Sequence, residues 1–273
     1  MTYEEFWRPL TQLYEYREAK AVTQLVFEQR FHLSLSDVLC GRTGDDAELR
    51  QIQQRLLQGE PVQYVLGLAE FGPHIFHVAP GVLIPRPETY ELCQWIKSGS
   101  TEGQEYGSTR ILDIGTGSGC IAITLALDIP GAKVTTWDIS ATALEIARKN
   151  AQQLNADVNF QEVDILSPFS SEFDLIVSNP PYICNKERTE MEQNVLEYEP
   201  HTALFVPDND PLLFYRAIAK YGQTALNTGG KLYFEINPLY ADDMREMLSM
   251  MSYHDIEIRE DQYGKQRMIR AQR

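Results

Sequence analysis

Two short stretches of this 273-residue chain combine residue types that can do chemistry at close spacing. The first is Asn179-Pro180-Pro181-Tyr182, directly after the apolar run Phe173–Ser178. Neither proline carries an N–H, so the backbone there offers acceptors without competing donors. The Asn179 side-chain oxygen and the Pro180 carbonyl can together accept from one –NH2 group, with Tyr182 packing on its flat face. Two acceptors on one nitrogen fix its orientation and enrich its electron density, which is positioning and electrostatics rather than proton abstraction. As bare structure, Pro-Pro merely ends a strand and an aromatic after it fills a core. The second stretch changes that balance. It runs Asp113-Ile114-Gly115-Thr116-Gly117-Ser118-Gly119, between a short buried strand and a helical pattern. Glycines in that setting let the backbone turn sharply and approach a ligand closely.

The spacing of these glycines is informative. A dinucleotide fingerprint needs its third glycine one position later, where Cys120 stands. Asp-x-Gly-x-Gly-x-Gly instead resembles motif I of S-adenosylmethionine-dependent methyltransferases, and that resemblance implies that Gly115, Thr116, Gly117, Ser118 and Gly119 wrap the methionine part of the cofactor. Asp138 ends the next strand, 23 positions after Gly115. A carboxylate there can accept from both ribose hydroxyls; its plainer role is to cap the helix that starts near Ser140. At the end of the third strand, Asp164 or Ile165 borders the position of the adenine in the same topology.

These residues need elements to position them. Up to about residue 60 the pattern is helical: Tyr3–Tyr16, Ala19–Phe31, a short helix Ser36–Cys40 capped by Ser36, and a helix from Gly44-Asp45-Asp46 through Leu57. Glu70–Pro87 holds short β-type runs split by Gly72-Pro73 and Pro80-Gly81, which predicts a hairpin or extended linker. His74 and His77 stand three apart there, on opposite faces of a strand, and are expected to be structural or surface residues. From Pro87 the chain alternates. Strands are expected at Arg110–Ile114, Lys133–Asp138, Asp157–Val163, Phe173–Ser178 and Lys231–Ile236. Helices are expected at 88–97, 119–128, Ala141–Leu154, Leu212–Leu226 and 239–251. Two last strands, near 254–259 and 267–271, read as a hairpin. Such alternation predicts an α/β fold with a mostly parallel sheet covered on both faces. The expected organisation is a small helical domain over 1–69, a hairpin linker over 70–87 and a catalytic domain over 88–273.

Composition narrows the classes further. The chain carries 24 Lys+Arg against 39 Asp+Glu, a net charge of −15. Proteins that live on nucleic acid usually show a basic face, because phosphate neutralisation supplies most non-specific affinity. Direct nucleic-acid binding is therefore not expected. Cys40, Cys93, Cys120 and Cys184 are scattered without metal-ligand spacing, so no metal site and a reducing, cytoplasmic compartment are expected. The most apolar run, Cys120–Leu127, is far shorter than the ~20 residues of a membrane span. The opening MTYEEFWRPL, with two early glutamates, lacks the apolar region of a signal peptide.

Asn-Pro-Pro-Tyr after a fold of this kind resembles the amino-methyltransferases of DNA adenine, ribosomal RNA guanine and protein glutamine, and the motif does not choose among them. Three further features do. A helical N-terminal region precedes a hairpin; Leu83-Ile84-Pro85-Arg86-Pro87-Glu88-Thr89 precedes the catalytic region; and Val177-Ser178-Asn179-Pro180-Pro181-Tyr182-Ile183 is followed by Tyr198-Glu199-Pro200-His201-Thr202-Ala203-Leu204. Together they resemble the PrmC/HemK family, which methylates the glutamine of Gly-Gly-Gln in class I peptide chain release factors. The chain departs from that family's pattern at Tyr90 and Ile165.

The resemblance implies a seven-stranded, Rossmann-like methyltransferase sheet with S-adenosyl-L-methionine as cofactor. Gly115–Gly119, Asp138, Ile165 and Asn179 would contact that cofactor. Asn179, Pro180, Pro181 and Tyr182 would hold the substrate glutamine, with Asn179 and Pro180 as the catalytic pair. The implied partner is a class I release factor, with no membrane; the alternative is an RNA or DNA amino-methyltransferase using the same motif.

Overall fold

A computed structural model describes residues 1–100, 109–168 and 171–273. The chain forms two compact units. The first comprises Met1–Leu68, Val78–Pro80 and Met191–Glu199; the second comprises Ala69–His77, Gly81–Glu190 and Pro200–Arg273. The segment Met191–Glu199 belongs to the first unit although it lies well inside the later chain, a feature no composition shift marks.

The first unit is helical: α1 (Tyr3–Leu10), α2 (Tyr16–Phe31), α3 (Leu35–Leu39), α4 (Asp46–Leu57) and α5 (Val62–Leu66). Phe6, Leu10, Val26, Phe27, Leu49 and Leu56 form its core, all but fully buried. Two expectations are corrected here. The first helix stops at Leu10 rather than Tyr16, because Pro9 in its last turn lacks an N–H and Thr11 turns back to Arg8 through its backbone N–H and its hydroxyl. The cap of α3 is Ser34, not Ser36: Ser34 Oγ accepts from Asp37 N–H while the Asp37 carboxylate accepts from Ser34 N–H.

A hairpin follows, β1 (Leu68–Phe71) with β2 (His74–His77), and then α6 (Pro87–Ser100). The catalytic region then runs β3 (Arg110–Ile114), α7 (Cys120–Asp128), β4 (Lys133–Asp138), α8 (Ala141–Leu154), β5 (Val158–Glu162) and β6 (Phe173–Ser178). An excursion comes next, with β7 (Ile183–Cys184), a 3-10 turn at Asn185–Glu190, α9 (Gln193–Tyr198), α10 (His201–Leu204) and β8 (Phe205–Val206). The chain closes with α11 (Leu213–Ala225), β9 (Leu226–Glu235), α12 (Ala241–Met250), β10 (His254–Glu260) and β11 (Gln266–Gln272). The excursion's helices and strands carry no periodicity long enough to announce them. β9 begins five residues earlier than expected, because a register shift between Leu226 and Lys231, a stretch that holds Gly229 at positive φ, lets Leu226 pair with Phe173 before Lys231 pairs with Leu175.

Among the described residues, the main sheet has seven strands in the order β10-β11-β9-β6-β3-β4-β5. β10 and β11 pair antiparallel, and β11 is antiparallel to β9; the other neighbours are parallel. Central strands are apolar on both faces, as sheets covered by helices require. Ile111, Leu175 and Val177 point to a core shared with Leu92, Trp95 and Ile121, while Leu112, Ile114 and Ile176 point to one shared with Tyr215, Ile218 and Leu248. The order matters for function. The chain moves from β3 out to β4 and β5, then returns to place β6 on the other side of β3. Open α/β sheets bind ligands at such a reversal, beyond the carboxyl ends of the strands.

Candidate functional site

β3 and β6 are adjacent and parallel, with Ile114 opposite Ser178. The glycine loop after β3 and the Asn-Pro-Pro-Tyr motif after β6 therefore emerge side by side. Two contacts fix them. Ser178 Oγ donates to the Ile114 carbonyl at 2.6 Å, and a Cβ on Gly115 would lie 4.0 Å from the Asn179 carbonyl oxygen. Gly115 has φ +82°, a left-handed conformation that side-chain-bearing residues rarely take. Gly119 serves packing instead. At φ +85° it starts α7, and a Cβ there would stand 2.8 Å from Ile123 and 3.0 Å from Ala147 of α8.

Beyond these strand ends lies a cavity of about 480 Å³, lined by Gly115–Ser118, Asp138, Ile165 and Asn179–Pro181. That volume is in the range of small-molecule sites. Arg86, Thr89 and Asp164 also line it. Most residues singled out in the sequence thus meet around one space. Gly119 and Tyr182 do not join the lining. Tyr182, expected on the flat face of a substrate group, instead packs against the core of the sheet, and its hydroxyl donates to Glu235 Oε1 at 3.0 Å. It stands behind the motif.

Asp138 is held by backbone donors. Its Oδ2 accepts from Gly117 N–H at 3.0 Å and its Oδ1 from Ser140 N–H at 2.8 Å, with the Ile139 N–H as a further backbone partner. Burial raises the Asp138 carboxyl above its usual range, against the backbone bonds that favour the charge. The helix cap belongs to Ser140, whose hydroxyl accepts from Ala143 N–H. The loop itself rests on two buried polar residues: Asn150, which no motif marks, and Asp113, which opens the glycine motif. Asn150, fully buried on α8, donates to the carbonyls of Ser118 and His77 and accepts from His77 N–H. Asp113, at the start of the loop, accepts from Thr136 at 2.9 Å and Thr116 at 3.2 Å. Burial pushes its carboxyl up to about 7, against those two hydroxyls and with help from the Asp138 charge.

The nitrogen of the Asn179 side chain donates to Thr89 Oγ1 at 3.2 Å, and Thr89 in turn donates to Glu235 Oε2. Glu235 closes β9, is 2% exposed, and receives Tyr182 on its other oxygen. Burial raises its carboxyl, opposed by the Thr89 and Tyr182 hydroxyls and the Arg267 charge. Neither Glu235 nor Thr89 is marked by the sequence as a site residue, although Thr89 ends a stretch that is. A cysteine nucleophile is not available here. Cys120 borders the cavity, but burial pushes its thiol up to about 12. Among the described residues there is no cluster of metal-ligating side chains, and no helix is long and apolar enough to cross a membrane.

The lining suits a nucleoside-bearing ligand: glycines with open backbone, the Asp138 carboxylate, and the apolar side chain of Ile165. A family model described as Methyltransferase small domain matches residues 102–201, which span the loop and the motif. The human protein titled methyltransferase 10 domain containing protein has the same fold, with a TM-score of 0.53 at 17% identity over 92% of this chain and 94% of its own. A Bacteroides thetaiotaomicron protein named release factor glutamine methyltransferase is 47% identical over 97% of this chain and 96% of its own length. A Flavobacterium psychrophilum protein of the same name is 41% identical over 98% of this chain and 96% of its own. At such identity over nearly the whole length, the chain belongs to the release factor glutamine methyltransferase family.

Proposed function

We propose that this protein uses S-adenosyl-L-methionine to methylate the side-chain amide nitrogen of the glutamine in the Gly-Gly-Gln motif of class I release factors, in the cytoplasm. The observation that carries this reading is the position of Asn179 and Pro180. Both line the same cavity as the glycine loop and Asp138, so a bound amide and a bound cofactor share one enclosure.

In this reading Asp138 accepts from the ribose hydroxyls, Gly115–Ser118 wrap the methionine part, and Ile165 packs at the adenine edge. S-adenosylmethionine, when bound, supplies a methyl group on a sulfonium centre, an electrophile that needs no acid or base to activate it. The chain's residues prepare the nucleophile. Asn179 Oδ1 and the Pro180 carbonyl each accept one N–H of the substrate amide, which fixes its plane and turns its nitrogen toward the cavity. An amide nitrogen is a poor nucleophile in water, and the walls formed by Ile84, Ile114 and the two prolines exclude water from it. Once alkylated, that nitrogen carries a proton more acidic than any side-chain acid. The same two oxygens accept it as it departs to solvent, so no histidine or lysine base is required. Tyr182 acts from behind, tying the motif to Glu235.

The motif is shared with enzymes of nucleic acids, so the test sets those substrates side by side. Labelled cofactor is incubated with the protein and with a class I release factor, ribosomal RNA or DNA. Label in the release factor alone supports the reading; label in RNA or DNA and none in the release factor contradicts it.

A further inference from the structure

An amide side chain can face its ligand with either end, and only one end serves an –NH2 substrate. If Asn179 turned its own NH2 group into the cavity, donor would meet donor. Which end faces inward is decided by what the other end can bind.

In this molecule the answer runs back through Thr89 to Glu235. A threonine hydroxyl has one proton and two lone pairs. The Thr89 proton is committed to Glu235 Oε2, so its lone pairs are what it offers Asn179. Only the Asn179 NH2 end can bind there, and it does, at 3.2 Å. Oδ1 is left for the cavity. The other oxygen of Glu235 takes the Tyr182 hydroxyl at 3.0 Å. One buried carboxylate therefore holds both ends of Asn179–Tyr182, and Tyr215 donates to the Glu235 backbone carbonyl at 2.9 Å, fixing the strand end that bears it. Asn237, two residues on, donates to the Tyr182 carbonyl at 3.3 Å.

We infer that Glu235 and Thr89 form a polarity relay that orients the Asn179 amide with its oxygen toward the substrate nitrogen, so that both are positioning residues for the reaction. The inference rests on the proposed amide substrate for its kinetic consequence, and on the hydrogen-bond chain alone for the orientation. It also explains why the Glu88-Thr89 turn of α6 must reach β6 and β9 at the mouth of the cavity.

Thr89→Val keeps the shape of the side chain and removes the hydroxyl, whereas Thr89→Ser keeps the hydroxyl and removes a methyl group. Two readouts apply to each variant and to the wild type. The first is kcat and KM for a Gly-Gly-Gln release factor, together with cofactor Kd and Tm. The second is the NMR signal of the Asn179 side-chain NH2, assigned by its loss in Asn179→Asp. The relay predicts that Thr89→Val lowers kcat by about 10- to 100-fold, the range for leaving a buried polar group unpaired. Cofactor Kd stays within about twofold, and the Asn179 NH2 resonances move and exchange faster. Thr89→Ser restores both readouts to near wild type.

Equal kcat and unchanged Asn179 resonances in Thr89→Val would overturn the relay. Equal loss in Thr89→Ser and Thr89→Val would overturn it as well, since it would trace the effect to packing. If the resonances follow the predicted order while the wild type methylates no Gly-Gly-Gln substrate, the relay stands and the substrate reading falls.

Discussion

Asn179 and Asp138 line the same cavity, and the proposed function divides the work between them, which substitution should separate. Asn179→Ala removes one of two acceptors for the reacting nitrogen. Turnover should fall by roughly 100- to 1,000-fold, as for loss of one preorganised polar group at a reacting centre. Calorimetric affinity for S-adenosylmethionine should change little; comparable loss in both would undo the division. Asp138→Ala does the reverse. Hydrogen bonds to a charged group contribute about 1.5–3 kcal/mol each, so cofactor Kd should weaken by at least about tenfold. Much of kcat should return at saturating cofactor.

Asp113 gives a prediction about pH. Its carboxyl titrates near 7 in the folded chain against an ordinary value of 3.8. Between those values the native state holds a proton that the unfolded state has released. The stabilisation from that neutral carboxyl is complete below the ordinary value and is lost as pH rises through about 7. The slope in that window is about 1.4 kcal/mol per pH unit for a single group. Asp113→Asn, neutral at every pH, should show a flatter fall in urea-unfolding stability between about pH 5 and pH 8 than wild type. Parallel curves would mean that Asp113 is already ionised in the folded protein.

Among the elements, the strands that carry the site were the most legible part of the sequence. β3, β4 and β6 stand where the apolar runs put them, because a strand buried on both faces leaves a dense, short hydrophobic signature. The motifs at their ends follow from that. Local hydrogen bonding was harder to read: Ser34 and Ser36 are both plausible caps by type, and only the reciprocal bond to Asp37 chooses between them. Least legible were the long-range polar contacts. Thr89 and Glu235 are 146 positions apart, Asn150 and His77 are 73 apart, and single threonine, glutamate or asparagine residues have no periodicity to reveal them. Tyr182 likewise has its hydroxyl partner, Glu235, far off in sequence on β9. The tight seam between α7 and α8 offers a test at this scale. Gly119→Ala introduces a Cβ 2.8 Å from Ile123 at a positive φ, and should cost about 1–3 kcal/mol in stability, measured by chemical denaturation. A neutral result would show that the two helices are free to part.

For the whole molecule, the −15 charge favours a protein over a nucleic acid as the substrate of a motif that both enzyme classes share. A protein that binds RNA or DNA by neutralising phosphates loses affinity steeply with salt. This chain should show no such binding at about 0.1 M salt, where the screening length is already near 10 Å. The helical unit of Met1–Leu68, joined by Met191–Glu199, carries none of the cavity residues. The central claim is the atom that receives the methyl group, and tandem mass spectrometry of the Gly-Gly-Gln peptide reads it directly. After a class I release factor is incubated with the protein and S-adenosylmethionine and then digested, one added methyl group should map to the side-chain nitrogen of that glutamine, and be missing with Asn179→Ala. A peptide unchanged by the wild-type protein, or methylated at any other residue, would contradict the account.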